Sequence, residues 1–214
     1  MAKKQEVSLP VIRRLPRYYR FISGLISQGV ERISSRELSL RMGLTASQIR
    51  QDLNCFGGFG QQGYGYNLSI LRDEIGKILG LDDKIKTIIV GAGNIGKAVG
   101  RRMDFDAEGF EICAIFDNDP DVVGKVIKDK TVMSAKEMNA FCLDNEIKAA
   151  ILCVSDKGAP EVVENLISLG IKIFWNFTHY DITLYHSNEG LAVENVHLND
   201  SLMTLRYLAK NMMD

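Results

Sequence analysis

The sequence lacks the features of a membrane protein, a metalloprotein or a disulfide-stapled protein. No apolar run approaches the roughly 20 residues of a membrane-spanning helix, and the first residues lack the apolar segment of a signal peptide. The three histidines and four cysteines show no Cys-x-x-Cys pair and no metal-ligand spacing. We therefore expect a cytoplasmic protein with no membrane partner, no metal and reduced, structural thiols.

Net charge is also small, but it is unevenly distributed. The chain carries −1 overall, with +6 over residues 1–80 and −7 over residues 81–214. This imbalance predicts that only the N-terminal part faces a polyanion.

Near residue 80, apolar residues at helical spacing give way to alternating strand-like and helix-like segments. We predict one domain over residues 1–80, a second over 81–197 and a terminal helical segment over 198–214.

The N-terminal part predicts a helix-turn-helix. A first helix is expected from Pro16 to just before Gly29. Its buried face is predicted to contain Leu15, Tyr18, Ile22 and Leu25. Ser34–Glu37 and Thr45–Gln48 each have the pattern of a capping box, which predicts helices to about Met42 and over about 46–56. Two capped helices joined by a glycine turn are typical of this motif.

Polar residues left on the outer surface of these helices predict a DNA-reading surface. On the last helix, Ile49, Leu53 and Phe56 recur at inward-facing positions. The side chains that point outward there are Ser47, Gln48, Arg50, Gln51 and Asn54. Arginines of the first helix add positive charge, and those assigned to DNA are Arg13, Arg14 and Arg17. These groups suit base edges and phosphates, although an ordinary solvated face would look similar.

Five glycines between residues 57 and 66 predict a tight hairpin, which is the wing of a winged helix. Its candidate DNA contacts are Gly60, Gln61, Gln62 and Tyr64. A flexible loop is the alternative for this segment. A helix over Ile70–Leu79 is expected to close the domain.

The second domain opens with a dinucleotide-binding pattern. A buried strand over residues 86–90 leads into a Gly-x-Gly-x-x-Gly loop, and a helix follows over about 97–103. The predicted phosphate-binding residues are Gly91, Ala92, Gly93, Asn94, Ile95 and Gly96. The first glycine allows the turn, the second allows the pyrophosphate to approach, and the third allows helix and strand to pack closely. The helix N-terminus supplies free N–H groups for the phosphates.

Asp117 ends the next strand, over residues 110–116, where a carboxylate can bind the adenine ribose hydroxyls. A 2′-phosphate would meet like charge there, and Asn118 and Asp119 offer no arginine to compensate. We therefore predict NAD(H) rather than NADP(H). An aspartate that merely starts a turn is the alternative.

Further strands and helices alternate to the end of the chain, which predicts a doubly wound Rossmann domain with a parallel core sheet and gives an α/β fold class overall. Ligands bind beyond the carboxyl ends of such strands. The residues expected at the nicotinamide end are Val154, Ser155, Asn176 and Phe177.

The function predicted from these residues is ligand binding rather than catalysis. Little chain remains for a substrate domain, and His179 and His186 fall in a predicted loop without a nucleophile partner. The main alternative is a small NAD-dependent oxidoreductase with an accessory N-terminal domain. A sensor of another nucleotide or of a CoA-like ligand, and a nucleoid protein, are further alternatives; the acidic second half argues against the last.

Several motifs resemble the Rex family of redox-sensing repressors, and the resemblance covers nearly the whole chain. In order, the motifs are Arg-Leu-Pro-Arg-Tyr-Tyr-Arg-Phe-Ile from residue 14, Ser-Ser-Arg-Glu-Leu from 34, Gln-Ile-Arg-Gln-Asp-Leu from 48, Phe-Gly-x-Phe-Gly from 56, Gly-x-Gly-Tyr-Asn from 63, Val-Gly-Ala-Gly-Asn-Ile-Gly from 90, Asn-Phe from 176 and Val-Glu-Asn-Val from 193.

The resemblance implies a homodimeric repressor that binds inverted-repeat operator DNA upstream of fermentation and respiration genes. NADH, as a regulatory ligand, releases it, while NAD⁺ competes weakly or favours DNA binding. The resemblance also implies that the C-terminal helix, residues 201–213, is domain-swapped between subunits. Arg20 lies where a family arginine couples the two domains.

The chain departs from the family pattern in three places. Gln61 and Gln62 replace a Lys-Arg pair in the wing, and Gln51 replaces a basic residue on the recognition helix. These changes remove phosphate-directed charge and are expected to weaken DNA binding or lower its salt dependence. His197 replaces an acid that usually pairs in domain coupling, which raises the hypothesis of a pH-sensitive switch.

Overall fold

The computed structural model describes residues 7–59 and 64–213. The chain forms two compact units, Met1–Asp83 and Lys84–Asp214. Among the described residues, no helix is long and apolar enough to span a bilayer.

The first unit consists of four helices and a short two-stranded ribbon. The helices are α1 Leu9–Ser27, α2 Ser35–Met42, α3 Ala46–Asn54 and α4 Leu68–Leu79. In the ribbon, β1 Arg32–Ile33 pairs antiparallel with β2 Tyr66–Asn67. The predicted inner face of α1 is confirmed, since Leu15, Tyr18, Ile22 and Leu25 are all buried. They pack with Ile49 and Leu53 of α3 in one apolar core.

Local capping signals set the ends of α2 and α3. Ser34 and Glu37 form the predicted reciprocal capping box at the start of α2. Gly43 ends α2 in the left-handed region, with φ of 66°. Thr45 caps α3 by accepting a hydrogen bond from the Gln48 N–H. The helix-turn-helix prediction is therefore confirmed, with α3 ending at Asn54, two residues before the predicted end.

The predicted start of α1 at Pro16 is wrong. The helix begins at Leu9, with Pro10 in its first turn and Pro16 inside it. An internal proline removes one backbone hydrogen bond and crowds the preceding turn. Burial of Leu15 and Tyr18 on either side of Pro16, which is itself exposed, offsets that cost in this helix.

The second unit is built on a seven-stranded sheet. Its strands are β3 Ile85–Val90, β4 Phe110–Asp117, β5 Val126–Ile127, β6 Lys130–Ser134, β7 Ala149–Leu152, β8 Ile173–Asn176 and β9 Ala192–Asn195. Its α-helices are α5 Asn94–Arg102, α6 Met138–Asn145, α7 Ala159–Ser168, α8 Ile182–Tyr185 and α9 Leu198–Met213. A 3₁₀ turn over Ala135–Glu137 precedes α6, and a capping box of Ser134 and Glu137 opens it.

The sheet order is β5-β6-β4-β3-β7-β8-β9, and every pair is parallel except β5 with β6. Without the β5 edge strand, this is the strand order of the dinucleotide-binding fold. The predicted doubly wound sheet is confirmed. The order reverses beside β3, so a ligand crevice is expected at the carboxyl ends of β3 and its neighbours.

The β5–β6 hairpin was not predicted. Its two-residue turn is Lys128-Asp129, and Lys128 has a φ of 58°. Glycine or asparagine usually occupies such a position, and neither is present. The sequence therefore gives no turn signal at this point.

Candidate nucleotide site and nucleic-acid interface

The glycine loop between β3 and α5 leaves one position open. A Cβ on Gly91 would lie 2.5 Å from the Cys153 carbonyl oxygen, and one on Gly96 would lie 1.9 Å from the Gly91 oxygen. Both positions therefore require glycine. A Cβ on Gly93 would have no atom within 4 Å. Gly93 is thus the point at which a pyrophosphate can approach the backbone.

The N-terminus of α5 faces this opening and attracts anions. Gly93 is its N-cap and has no side chain to occupy the first-turn N–H groups. No acidic residue stands in that first turn. Free N–H groups and the positive end of the helix dipole together form a phosphate-binding position. Asn94 and Ile95, the first residues of α5, were predicted to contribute to it.

Asp117 lies at the end of β4, against the glycine loop. Its Oδ2 accepts the Ala92 N–H at 2.6 Å, and its Oδ1 accepts the Asp119 N–H at 2.8 Å. These bonds fix the carboxylate beside the loop and leave lone pairs for further donors. The arrangement suits the two hydroxyls of a ribose.

The residues predicted at the nicotinamide end differ in how far their side chains are exposed to a ligand. Val154 and Phe177 are partly buried and Ser155 is exposed, so all three can face a ligand. Phe177 packs edge-on against Trp175, with ring centroids 4.7 Å apart. The two rings form an apolar pair that packs against the same core cluster as Ala92 of the glycine loop.

Asn176 is placed differently from the prediction. It is fully buried, and its amide donates to the Tyr180 carbonyl and to Asn195 Oδ1. Its carbonyl oxygen accepts from the N–H and the hydroxyl of Thr178. With its hydrogen-bonding capacity used inside the protein, the side chain holds the β8 and β9 ends together rather than contacting a ligand. The sequence showed Asn176 at a strand end but not these partners.

Two histidine–aspartate pairs that the sequence did not predict lie at the same edge of the sheet. His179 Nδ1 lies 3.2 Å from Asp156 Oδ2, and His197 Nδ1 lies 3.3 Å from Asp200 Oδ2. The two imidazoles are stacked with centroids 5.8 Å apart. His197 Nε2 is buried without a hydrogen-bond partner in the described residues. Hydrogen bonds from His179, the backbone N–H first, lower the pKa of Asp156.

The described residues offer neither a cluster of metal-ligand side chains nor, at Cys142 and Cys153, an ionised thiol. In the described part of the chain, no group of three or more His, Cys, Asp or Glu side chains is arranged to hold a metal ion. Burial raises the pKa of the Cys142 thiol to about 11 and that of Cys153 to about 12. Both thiols are therefore protonated at neutral pH and unreactive.

The outer face of α3 is the candidate nucleic-acid interface. Ser47, Arg50, Gln51 and Asn54 are exposed and line a surface depression of about 490 Å³, together with Val7, Ser8 and Cys55. Gln48 is partly buried. The guanidinium of Arg50 donates to the Ser35 hydroxyl at 3.0 Å. These are donors and acceptors that suit base edges.

The arginines of α1 are less available than predicted. Arg14 donates two hydrogen bonds to the carboxylate of Asp52, and Arg17 donates to the Met42 carbonyl at 2.5 Å. Arg14 therefore uses two of its donors inside the unit, and its assignment to DNA stays a prediction. Arg13 and Arg20 are exposed. Asp52 is three residues after Ile49 and therefore falls on the inward face of α3, but the sequence does not show which partner its carboxylate would have there.

The glycine-rich segment is described only in part. Tyr64 is exposed, and Gly65 has a φ of 69° where a Cβ would lie 2.5 Å from the Ile33 carbonyl oxygen. Gly60, Gln61 and Gln62 lie outside the described residues.

Family models match both halves of the chain. A model described as "Putative DNA-binding protein N-terminus" matches residues 6–54, and a "CoA binding domain" model matches residues 82–180. A redox-sensing transcriptional repressor Rex from Clostridioides difficile is 48% identical over 210 residues, which cover 98% of this chain and 99% of that protein. The chain belongs to the Rex family. A Rex repressor from Thermoanaerobacter pseudethanolicus is 49% identical over 207 residues, covering 97% of this chain and 91% of that protein.

Solved Rex-family structures share the fold over almost the whole chain. The repressor RSP in complex with β-NAD⁺ and operator DNA gives a TM-score of 0.90 at 47% identity, covering 98% of this chain and 95% of RSP. RSP in complex with β-NADH gives 0.86 at 44% identity, covering 97% and 96%. Rex membership and the winged-helix plus Rossmann fold, both predicted from the sequence, are thus confirmed.

Proposed function

We propose that this Rex-family chain is a transcriptional repressor that binds inverted-repeat operator DNA and is released by NADH. One observation carries the proposal: the same chain holds an exposed polar recognition helix and a glycine loop left open at Gly93 beside Asp117. The first suits DNA and the second a dinucleotide. Titrating an operator complex with NADH and with NAD⁺ tests it.

The ligand must bind the two functional states with different affinities. A ligand of equal affinity for both would change nothing, however tightly it bound. The oxidised nicotinamide carries a positive charge and the reduced ring is neutral. The partly buried Phe177 and Trp175 favour the neutral ring, because an apolar wall disfavours an unpaired charge. We propose this as the basis of selectivity for NADH.

A homodimer accounts for the exposed apolar side chains of α9. These residues, each more than half exposed, are Leu198, Leu202, Met203, Leu205, Tyr207, Leu208 and Met212. A helix of 16 residues is not stable with such a face in water. A groove of about 500 Å³ lined by Phe105, Ile151 and Trp175 is a second apolar surface.

We propose that α9, residues 198–213, is exchanged with a second copy. Two copies related by a two-fold axis match an inverted repeat, with recognition helices about 34–36 Å apart.

Replacing Leu202 and Leu205 with serine is expected to give a monomer that binds the operator at least about tenfold more weakly. Each leucine stabilises by roughly 1.5–3 kcal/mol when buried, and a dimer would lose four. Light scattering and operator titration measure the two effects. Lys210→Ser on the same helix is the control, and a dimeric double variant would refute the exchange.

Asp117 is proposed to select NADH over NADPH. We expect Asp117→Asn to lower the ratio of NADH to NADPH affinity roughly tenfold or more, because the repulsion of a 2′-phosphate is lost and the ribose loses a charged acceptor. Calorimetric titration of both dinucleotides gives the ratio. Asp119→Asn makes the same charge change two residues away and should leave the ratio unaltered. An unchanged ratio in Asp117→Asn would remove Asp117 from the site.

Arg20 and His197 are proposed as coupling residues. Within its unit His197 lies beside Asp200 and stacks on His179, which in turn pairs with Asp156. NADH-driven release is therefore expected to change between about pH 6 and about pH 8 more in wild type than in His197→Asn. The same pH dependence in both proteins would refute the idea.

Two alternatives each have an observation in their favour. The Asp156–His179 pair offers an acid–base group to an oxidoreductase, whereas we propose that NADH is a ligand and not a reagent. Turnover of NADH with a small carbonyl compound would support the enzyme. The match to the CoA-binding model favours a CoA-like ligand, and competition of CoA against NADH separates the two.

A further inference from the structure

A carboxylate on the recognition helix is held by two side chains of α1. Asp52 of α3 is 2% exposed. Arg14 Nε donates to its Oδ2 and Arg14 Nη2 to its Oδ1, each at 2.7 Å. The Tyr18 hydroxyl donates to Oδ2 at 2.8 Å. We call these three residues the Asp52 clamp.

The clamp is a strong and directional contact. Two parallel N–H···O bonds from one guanidinium fix both the distance and the orientation of the carboxylate. The Asp52 hydrogen bond raises the pKa of Arg14, and burial, followed by the bond to Asp52, raises the pKa of Tyr18. Arg14 therefore keeps its charge, and Tyr18 keeps the hydroxyl proton that it donates, at neutral pH.

The helix α3 depends on tertiary contacts for its position. It has nine residues, and a helix of that length does not persist alone in water. Ile49 and Leu53 bury it against the core, but apolar contacts have little directional preference. Asp52 lies between these two positions in the sequence, and its bonds to Arg14 and Tyr18 supply the directional contact that the apolar side chains lack.

A small rotation of α3 about its own axis would misplace the side chains that are proposed to contact base edges. Side-chain tips lie roughly 6 Å from a helix axis, so a turn of about 20° moves a tip by roughly 2 Å. Hydrogen bonds to base edges tolerate only a few tenths of an ångström. Arg50, Gln51 and Asn54 lie within two residues of Asp52, so its orientation largely determines theirs.

Stability alone does not explain an ion pair between a buried carboxylate and a partly buried guanidinium at this position. Apolar residues of similar volume often stabilise a core as well as such a pair does, because both charges must leave water. Ion pairs and polar groups in a core can instead specify one arrangement among several. An arrangement of this kind is what a recognition helix requires.

We propose that Asp52 is a positioning residue for operator reading, and that Arg14 and Tyr18 act through it by fixing the rotation of α3. Arg14 therefore serves DNA recognition indirectly rather than as a phosphate ligand. The inference rests on the proposed function, because it needs an operator to be read.

The test compares Asp52→Asn with Asp73→Asn. Asp73 also pairs with an arginine, Arg72, in the same unit, but both of those side chains are more than one-third exposed. Each variant removes one negative charge, which by itself tightens binding to any duplex. We expect Asp73→Asn to tighten operator and unrelated duplex alike, by about twofold or less. We expect Asp52→Asn to weaken operator binding roughly 30-fold, while unrelated duplex binds as tightly as to Asp73→Asn and NADH binds as in wild type.

The readout is the ratio of operator to unrelated-duplex affinity, measured well below the melting temperature. Loss of folded protein lowers both affinities equally and leaves the ratio unchanged, so a merely structural role would not alter it. If Asp52→Asn does not fold, Tyr18→Phe and Arg14→Lys replace it, with expected losses of roughly three- to tenfold in the ratio. Folded variants with the wild-type ratio would overturn the proposal. A wild-type protein without operator preference would instead refute the proposed function.

Discussion

Gly93→Arg is expected to abolish release of the operator by NADH, with NADH affinity reduced at least about 100-fold. The backbone at Gly93 has room for a Cβ, so the variant should fold. Its long side chain would occupy the opening at the N-terminus of α5, where the pyrophosphate has to lie. Operator binding without ligand should remain within about twofold of wild type, because α3 belongs to the other unit.

A second variant controls for the positive charge that Gly93→Arg adds. Ala107→Arg adds the same side chain at an exposed position on the turn between α5 and β4, away from the glycine loop. It should respond to NADH as wild type does. Release of Gly93→Arg from the operator at wild-type NADH concentrations would show that the glycine loop does not hold the dinucleotide.

Arg50→Ala is expected to weaken operator binding by about 10- to 100-fold and to leave NADH affinity unchanged. Arg50 is exposed on α3, and its guanidinium donates a hydrogen bond to the Ser35 hydroxyl. A base-edge contact of this kind contributes about 1–3 kcal/mol. Fluorescence anisotropy with operator and mutated-operator duplexes measures both the loss and its sequence dependence.

Arg72→Ala provides the matched control for Arg50. It removes the same charge from α4, where Arg72 pairs with Asp73. A small, uniform loss on all duplexes is expected for this control. If Arg50→Ala behaved in the same way, Arg50 would contribute charge alone and would not read the sequence.

Local signals explain how much of the fold could be predicted. The Ser34 capping box, the glycine after α2 and the fingerprint after β3 each depend on a few neighbouring residues, so the sequence shows them directly. The doubly wound domain with its parallel core sheet followed from the alternation of strands and helices. Pro16 misled the prediction, because helix start signals cannot show that tertiary burial tolerates an internal proline.

Long-range partners explain what could not be predicted. Arg14 and Asp52 are 38 residues apart, and neither shows in the sequence that its charge is used by the other. Asn176 looked like a ligand contact because it ends a strand, but its partners Tyr180 and Asn195 come from a later loop and strand. In both cases the residue type indicated a hydrogen-bonding side chain, but the sequence did not show which partner that side chain would contact.

The most direct test of the account is one titration. The protein is bound to a labelled inverted-repeat operator at fixed salt, and NADH or NAD⁺ is added while anisotropy is followed. The account predicts that NADH releases the protein from DNA and that NAD⁺ at the same concentration leaves the complex in place. A complex that responds equally to both dinucleotides, or to neither, would contradict it.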